Sequence, residues 1–578
     1  MSEKEIKKEI KYKYEIKEKE LIDRIYKDFR ENTLYIIEKK TYLLGMYTTI
    51  DIILVRKLID KYSDNREMDI ISFAVIFTLN LEKEQGNVFT YWEDLQKQVS
   101  KIINKNININ EQQLNHNLEF LENENLIKVE KLNAIYLKNL YNFEVELSNR
   151  VKELIEDNNG RFKGNEVDAF IESYKKLDIS KQKEAIKKCL NNKISILTGM
   201  AGTGKTMALK VIVEGVEKLM PNAIIKLTSL SGKAVRRAVE VVGIEGQTIH
   251  SLLKIKENEN SINRKIIKIE ADVLIIDESS MIDLELFYLI FKSIDENCMV
   301  IMAGDYRQLP AIGTGSVFKD LIKSKVLPVA ELNEIIRQNS DNIIIENSHM
   351  IVSGIGFSED KGTGLTVKPG EFEFIECNIK EIKNEIINVI RMNLNKGEDF
   401  YNLQVIAPQR KGQNGVDEVN YNIATNFNNT TGRERNKFSV MDSVVQLVND
   451  YTKDVYNGEV GMITRIESDN FIGIEKMSAR FSDKEVEYLR EEVEAVELAF
   501  CLTVHKMQGS ESKIVIVVID KECKNLSREL LYTAITRATK KVVIIGDKEV
   551  FNKGLKKIST KRNSRLKERI KDKIKELE

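Results

Sequence analysis

The sequence predicts an α/β protein with two doubly wound parallel sheets, a small β-barrel inserted in the second and a helical region in front. Three observations carry this. From Lys193 onward, seven short runs rich in Val, Ile and Leu (ISILTG, AIIKLTS, VLIIDE, CMVIMAG, LQVIAP, IVIVVID and VVIIGD) alternate with amphipathic helices. Runs of this kind, ending in Gly, Ser, Asp or Pro, read as parallel strands buried on both faces. Between Met441 and Phe500 the pattern turns strand-only (VVQLVND, GEVGMITRIES, NFIGIEK, VEAVELAF), as a small barrel requires. Before Lys193 the apolar spacing is helical.

The elements follow in chain order. Residues 1–65 read as charged, amphipathic helix. From Met68 to Glu146, helical runs (IISFAVIFTLN, YWEDLQKQVSKII, NEQQLNHNLEFLENENL) lead into two extended pieces, IKVEK and AIYLK, which suggests a winged-helix-like module. Such a module binds DNA or serves as a protein-packing unit, and fold alone does not choose. The stretch from Lys193 to Asp547 exceeds one domain of about 100–200 residues. A break is expected in GIGFSEDKGTGLTVKPG, where Gly and polar residues concentrate. The expected units are 1–150, helical and winged-helix-like; 151–345, the first sheet domain; 346–550, the second, with its insertion at about 441–498; and 551–578, a charged helical tail that by default is solvated.

Composition excludes little but excludes it clearly. Hydrophobic residues make up 42% of the chain, and 89 basic residues balance 90 acidic ones for a net charge of -1. No global charge argues for a polyanionic partner, so any such contact rests on local Lys and Arg clusters. The five cysteines are scattered without metal-ligand or CxxC spacing, which implies reduced, buried thiols. The charged N-terminal run and the absence of an apolar stretch near the roughly 20 residues of a membrane helix predict a soluble cytoplasmic protein with no membrane association.

The strongest motif is Gly199-Met-Ala-Gly202-Thr-Gly204-Lys205-Thr206, between the strand ISILT and the helix MALKVIVEGVEKL. Its glycines let consecutive N–H groups converge on phosphate oxygens, and the helix start adds positive potential. Lys205 reaches β- and γ-phosphates, and the Thr206 hydroxyl suits Mg²⁺. The partner segment VLIIDESS delivers Asp277, which suits Mg²⁺ binding, and Glu278, which suits activation of an attacking water. A glutamate here favours hydrolysis over transfer to a hydroxyl substrate. ATP and Mg²⁺ are therefore the expected ligands.

Further segments, in order from about 170 to 550, resemble the RecD-like group of superfamily 1 helicases, the family of the exodeoxyribonuclease V alpha subunit and its stand-alone relatives. The carriers are LDISKQKEAI, TSLSGKAVRR, GQTIHSLL, GDYRQLPAIGTGSVF, LNEIIRQ, IAPQRKGQNGVDEVN, LTVHKMQGSE and LLYTAITRATK. The resemblance implies two RecA-like motor domains, an SH3-like insertion around NDYTKDVYNGEVGMI, and a DNA helicase active in repair or recombination with 5′→3′ polarity. It also implies roles for residues. Gln182 reads adenine, and Gly199, Gly202, Gly204, Lys205, Thr206, Met207 and Glu511 belong to the nucleotide site. Gln308 senses the γ-phosphate with Asp305 nearby, while Arg337 and Arg537 act as arginine fingers. Lys233, Thr248, His250, Thr503, His505 and Lys506 face the strand. TSLSGKAVRR departs from the family's usual Pro-Thr-Gly form, which leaves its contact residues open.

The chemistry agrees with the resemblance. Arg is planar and permanently charged, so it suits a phosphoryl transition state. Arg537 comes from the second sheet domain and the turn at Lys205 from the first, so nucleotide between them would pull the two together. Of the four histidines, His250 and His505 lie in matched segments, His349 reads as packing or bridging, and His116 has no assigned role. The expected partners are single-stranded DNA and duplex junctions, with a protein partner through the N-terminal region. The resemblance implies a strand-splitting hairpin between Leu253 and Ala271, a stretch that reads equally as a simple exposed loop. A motor subunit of a nuclease complex and an ATP-gated clamp that does not unwind are the alternatives.

Overall fold

The computed structural model describes residues 1–103, 109–131, 133–156, 162–255, 266–334, 342–358, 364–428, 438–450, 452–469, 473–481, 484–559 and 561–576. Arg337 and most of the expected splitting hairpin lie outside these residues.

The first lobe is a six-stranded sheet whose paired strands all run parallel. In spatial order its strands are Gly246–Thr248, Ile225–Ser229, Val273–Ile276, Met299–Gly304, Ile194–Gly199 and Val329–Leu332. Ile194–Gly199, Val273–Ile276 and Met299–Gly304 are buried at every position, which is why their sequences are unbroken apolar runs. The second lobe is a five-stranded parallel sheet in the order Phe372–Glu376, Ala538–Gly546, Ser512–Ile519, Leu403–Ala407 and Cys501–Thr503.

The seven strands expected from the sequence are all present, and each lies inside one of these sheets. Four further strands, Gly246–Thr248, Val329–Leu332, Phe372–Glu376 and Cys501–Thr503, are the four sheet edges. Edge strands are short or half-exposed, so they lack the continuous apolar signature; VAEL and FEFIE carry acids, and the other two are three residues long. The helix Ile343–Val352, which a boundary at 345/346 divides, joins the core of the second lobe as one unit, burying Ile343, Ile344 and Ile351 with Leu531 and Ile544.

Along the chain, between Leu403–Ala407 and its neighbour Cys501–Thr503, lies an antiparallel sheet of five strands, from Ser443–Gln446 to Val496–Leu498. Among the described residues its order is linear, with Lys484–Leu489 at one edge and Val496–Leu498 at the other. Two register shifts between Val460–Asp469 and Gly473–Phe481 mark bulges, which bend such a sheet.

The N-terminal region is not one helix. Glu3–Tyr12, Lys19–Phe29, Thr33–Lys39 and Ile52–Tyr62 each bury one apolar face. They surround Arg66–Glu84, which is buried continuously from Ile70 to Leu79. The strand Phe89–Tyr91, helices Trp92–Ile103 and Glu111–Asn123, and the hairpin Ile127–Glu130/Ala134–Leu137 follow. This hairpin is not a free wing: Val88, Phe89 and Tyr136 share a core with Ile194, Leu274 and Val300 of the first lobe.

The expectation of a solvated tail is overturned. Leu566 and Ile570, one helical turn apart in Leu566–Lys575, are buried in that same core. Arg569 donates to both carboxylate oxygens of Glu130, to Glu144 Oε2 at 2.8 Å and to the Tyr136 hydroxyl. The chain thus leaves the second lobe and returns to the first. Among the described residues no helix is long and apolar enough to cross a membrane, and all five cysteines are free.

Candidate nucleotide site between the lobes

The turn after Ile194–Gly199 needs glycine for reasons visible in space. Gly202 and Gly204 have φ of +77° and +80°, a region that costs other residues energy. A Cβ on Gly202 would stand 2.6 Å from Ile345 Cδ1, because the helix Ile343–Val352 packs over the turn. His349 of that helix lies beside the turn; burial lowers its pKa, and a hydrogen bond with the Ala201 backbone opposes this.

Lys205 starts the helix Lys205–Leu219 and folds its ammonium back onto the turn, donating to Gly199 O at 2.6 Å and Met200 O at 3.1 Å. Gln182 is buried, with Nε2 3.5 Å from Thr203 O, so it stands against the same turn. Asp277 follows the strand Val273–Ile276, and its Oδ1 accepts from Glu278 N at 2.9 Å. Burial, then the Glu278 charge, raise the Asp277 pKa, while Lys205 and Arg237 oppose the rise. Glu278 takes the left-handed conformation at φ 51°, a strained position for a non-glycine residue of the kind that gathers at functional sites.

One cavity of about 390 Å³ is lined by Gly202, Gly204, Lys205, Thr206, Met207, Asp277, Glu278 and Gln308 from the first lobe and by Glu511 and Arg537 from the second. Arg537 is buried and held on its own lobe, with Nε 3.1 Å from Thr533 O, Nη1 3.2 Å from Ser510 O and Nη2 3.3 Å from Thr536 Oγ1. Gln308 is buried, and its Oε1 has no protein partner among the described residues. An orphaned amide oxygen, a glycine cradle and paired carboxylates facing Lys205 and Arg537 fit a phosphate chain with its cation.

Two contributors escaped the sequence reading. The Tyr532 hydroxyl, fully buried, donates to Asp305 Oδ2 at 2.6 Å and accepts from the Ala201 N–H at 3.0 Å. It ties the second lobe to the phosphate turn and to the segment carrying Gln308. Its place in LLYTAITRATK reads as a core aromatic, and nothing local distinguishes it. Arg237 lines the cavity and pairs with Glu511 at 2.7 Å across the lobes. Its signal was its position one turn after Lys233 on the helix Gly232–Val242.

The residues expected to face a strand lie apart from this cavity. Thr248 Oγ1 accepts from Ser251 N at 3.2 Å, and Thr503 Oγ1 accepts from Lys506 N at 3.3 Å; each hydroxyl keeps its own hydrogen to donate. Thr503 and Lys506 line a second cavity of about 630 Å³ between the second lobe and the antiparallel sheet, with Arg410, Tyr421, Phe438 and Glu497. There Glu497 holds both cations, at 2.7 Å from Arg410 and 3.3 Å from Lys506. Lys233 is half-buried beside a third cavity, where burial lowers its pKa against the charges of Glu511 and Glu459. Desolvation, then the Arg562 guanidinium, lower the pKa of His505; burial raises that of Asp283, while His250 and Arg562 oppose the rise.

The AAA domain family model matches residues 179–359, and the UvrD-like helicase C-terminal domain model matches residues 498–545. The ATP-dependent RecD2 DNA helicase of Deinococcus radiodurans is 28% identical over 443 residues, covering 75% of this chain and 58% of that protein. An uncharacterized protein of Methanocaldococcus jannaschii is 27% identical, covering 91% of this chain and 50% of its own length. The chain therefore spans little more than half the length of these two relatives. The RecBCD enzyme subunit RecD of Buchnera aphidicola (subsp. Schizaphis graminum) is 26% identical, covering 66% of this chain and 74% of that protein. Among solved structures, the Bacteroides Pif1 helicase in complex with ADP-AlF3 and ssDNA has a TM-score of 0.38 and 20% identity, covering 67% of this chain and 95% of that one. With matched segments in family order, family models falling on both parallel-sheet lobes and RecD proteins among its relatives, the chain is similar to the RecD-like group of superfamily 1 helicases.

Proposed function

We propose that this chain is an ATP-hydrolysing motor that moves 5′→3′ on single-stranded DNA and separates duplexes, in repair or recombination in the cytoplasm. The observation that carries the reading is the sharing of one cavity by Lys205, Glu278 and Arg537. Hydrolysis would then be confined to the closed arrangement of two lobes, which is how chemistry becomes displacement.

Lys205 exchanges the Gly199 and Met200 carbonyls for phosphate oxygens. Thr206 and Asp277 would hold Mg²⁺, which when bound would neutralise charge developing on the phosphates. Glu278, aimed by its strained backbone, orients the attacking water and takes its proton. Gln308 reads the terminal phosphate, and Arg537 leaves its neutral carbonyl acceptors for the charged phosphoryl group, a stronger hydrogen-bond partner. Arg337 completes the set as the second arginine. Gln182 and Met207 serve the nucleotide's base end, and Glu511 keeps Arg237 in place.

The strand is read as lying along Lys233, Thr248 and His250 of the first lobe and Thr503, His505 and Lys506 of the second. The antiparallel sheet is read as the SH3-like insertion, covering the strand beside Tyr421 and Phe438. The N-terminal region is read as a protein-docking unit. Its helix Glu111–Asn123 carries Glu111, Glu119 and Glu122 and no Lys or Arg, which suits protein better than DNA. The RecBCD subunits among the relatives favour a second reading as the motor of a larger assembly.

Duplexes with a 5′ tail, a 3′ tail or no tail, incubated with ATP and Mg²⁺, test the main reading. Unwinding is expected only with the 5′ tail; unwinding only with the 3′ tail would reverse the polarity, and strand-dependent ATPase without unwinding would make the protein a clamp. A Glu497→Gln variant tests the strand path. It frees Lys506 and leaves Arg410 only its Asp417 partner at 3.2 Å, so single-strand affinity is expected to rise several-fold at low salt. The salt slope should steepen by about 0.7 per cation released. An unchanged affinity and slope would put the strand elsewhere.

A further inference from the structure

The segment from Arg562 to Arg565 crosses a junction of three parts of the molecule. Arg562 donates to Ala311 O at 2.6 Å, Gly313 O at 2.8 Å and Gly315 O at 2.6 Å. Those carbonyls belong to the loop that begins with Gln308. The loop's other end is held from the second lobe: Leu309 N donates to Thr533 Oγ1 at 3.0 Å, and Gln508 Nε2 donates to Leu309 O at 3.1 Å. The N-terminal region closes the junction, since Gly315 N donates to Gly86 O at 2.8 Å and Val88 N to Asn563 O at 2.8 Å. Gly86 has φ +89°, and a Cβ there would run into the Arg562 guanidinium.

We propose that Arg562 is a positioning residue of the motor. It pins the loop Ala311–Gly315 so that Gln308 keeps its place in the nucleotide cavity, and it links that placement to the N-terminal region. The chemistry explains why arginine stands here. A planar fork of five donors satisfies three carbonyls at once, whereas a lysine ammonium is a point charge on a flexible stem. Gly313 adds to the constraint, because a Cβ there would collide with Asp283, so the loop has one close-fitting path under the guanidinium. Anchoring of the strap does not depend on Arg562, since Leu566, Ile570 and Arg569 hold it farther along. A displacement of about 1 Å at a reacting geometry can cost on the order of 10²-fold in rate.

The inference rests on the hydrolytic reading, and the experiment separates the two. ATP turnover with saturating oligo(dT) is measured on the full chain and on Lys205→Ala, Arg562→Ala and Arg562→Lys, with KM for ATP, melting temperature and hydrogen exchange at residues 309–315. Arg562→Ala is expected to lower kcat at least tenfold with KM within twofold and melting temperature nearly unchanged. Exchange at 309–315 is expected to quicken, and Arg562→Lys to recover part of the loss. Wild-type turnover in Arg562→Ala would overturn the proposal, as would a loss shared equally by kcat, nucleotide binding and melting temperature. Turnover no higher in the unmodified protein than in Lys205→Ala would instead remove the hydrolytic reading, and unchanged exchange at 309–315 would still reject the pinning.

Discussion

Replacing Arg537 by alanine is expected to lower kcat for ATP hydrolysis by about 10³-fold, the scale at which arginine fingers act, while nucleotide affinity changes only a few-fold. The asymmetry follows from where the side chain rests. Its guanidinium is satisfied by Thr533 O, Ser510 O and Thr536 Oγ1, neutral acceptors at 3.1–3.3 Å, and it reaches the shared cavity from the second lobe. On the proposed reading, ground-state binding is dominated by the glycine turn and Lys205 of the first lobe, which the substitution leaves alone. On that reading Arg537 contributes where charge develops, in the transition state, and such an interaction is lost from kcat rather than from binding. Single-turnover hydrolysis beside fluorescent-nucleotide titration separates the two, and equal losses in both would remove the finger role. Arg537→Lys is expected to restore little, because a point charge does not reproduce the planar fork.

Replacing Arg569 by alanine is expected to release the C-terminal strap, with a local loss of about 3–5 kcal/mol, the cost of leaving buried charge without its partner. Glu144 is fully buried, and its carboxylate takes Arg569 Nε at 2.8 Å on one oxygen and Ser564 and Arg565 N on the other. Glu130 takes the rest of the guanidinium and also Arg565. Without Arg569, two carboxylates face a core of Leu566, Ile570 and Tyr136 with fewer donors. The measurement is hydrogen exchange and protease cleavage of residues 561–576, and wild-type protection there would refute the expectation. The same pair gives a pH dependence. Burial raises the Glu130 pKa, but the hydrogen bonds and charge of Arg569 and Arg565 outweigh this and hold it below the ordinary glutamate range. Its share of the docking is therefore complete above about pH 4.3, the unfolded value, and is lost as pH falls through the lower folded value.

Both predictions concern contacts that join distant parts of the chain, and such contacts mark the limit of reading from local pattern. The central strands of both sheets were legible because burial on two faces writes an unbroken apolar run. The phosphate turn was legible because glycine at 202 and 204 and lysine at 205 have a local backbone reason to stand together. The four edge strands were not, since Val329–Leu332 and Phe372–Glu376 mix acids with apolar residues and Gly246–Thr248 and Cys501–Thr503 are only three residues long. Tyr532 reads as one more core aromatic until the fold places its hydroxyl between Ala201 and Asp305. The tail shows the sharpest contrast: its charge suggested a solvated helix, and only packing revealed that Leu566 and Ile570 are core residues.

Secondary structure and the chemistry of one turn are short-range matters, governed by side-chain periodicity and backbone freedom within a few residues. Which lobe supplies the arginine opposite Lys205, and which loop Arg562 clasps, depend on chain segments brought together from more than 200 positions apart. No local propensity encodes such a meeting. It is decided when buried faces find one another and polar groups left inside must be satisfied.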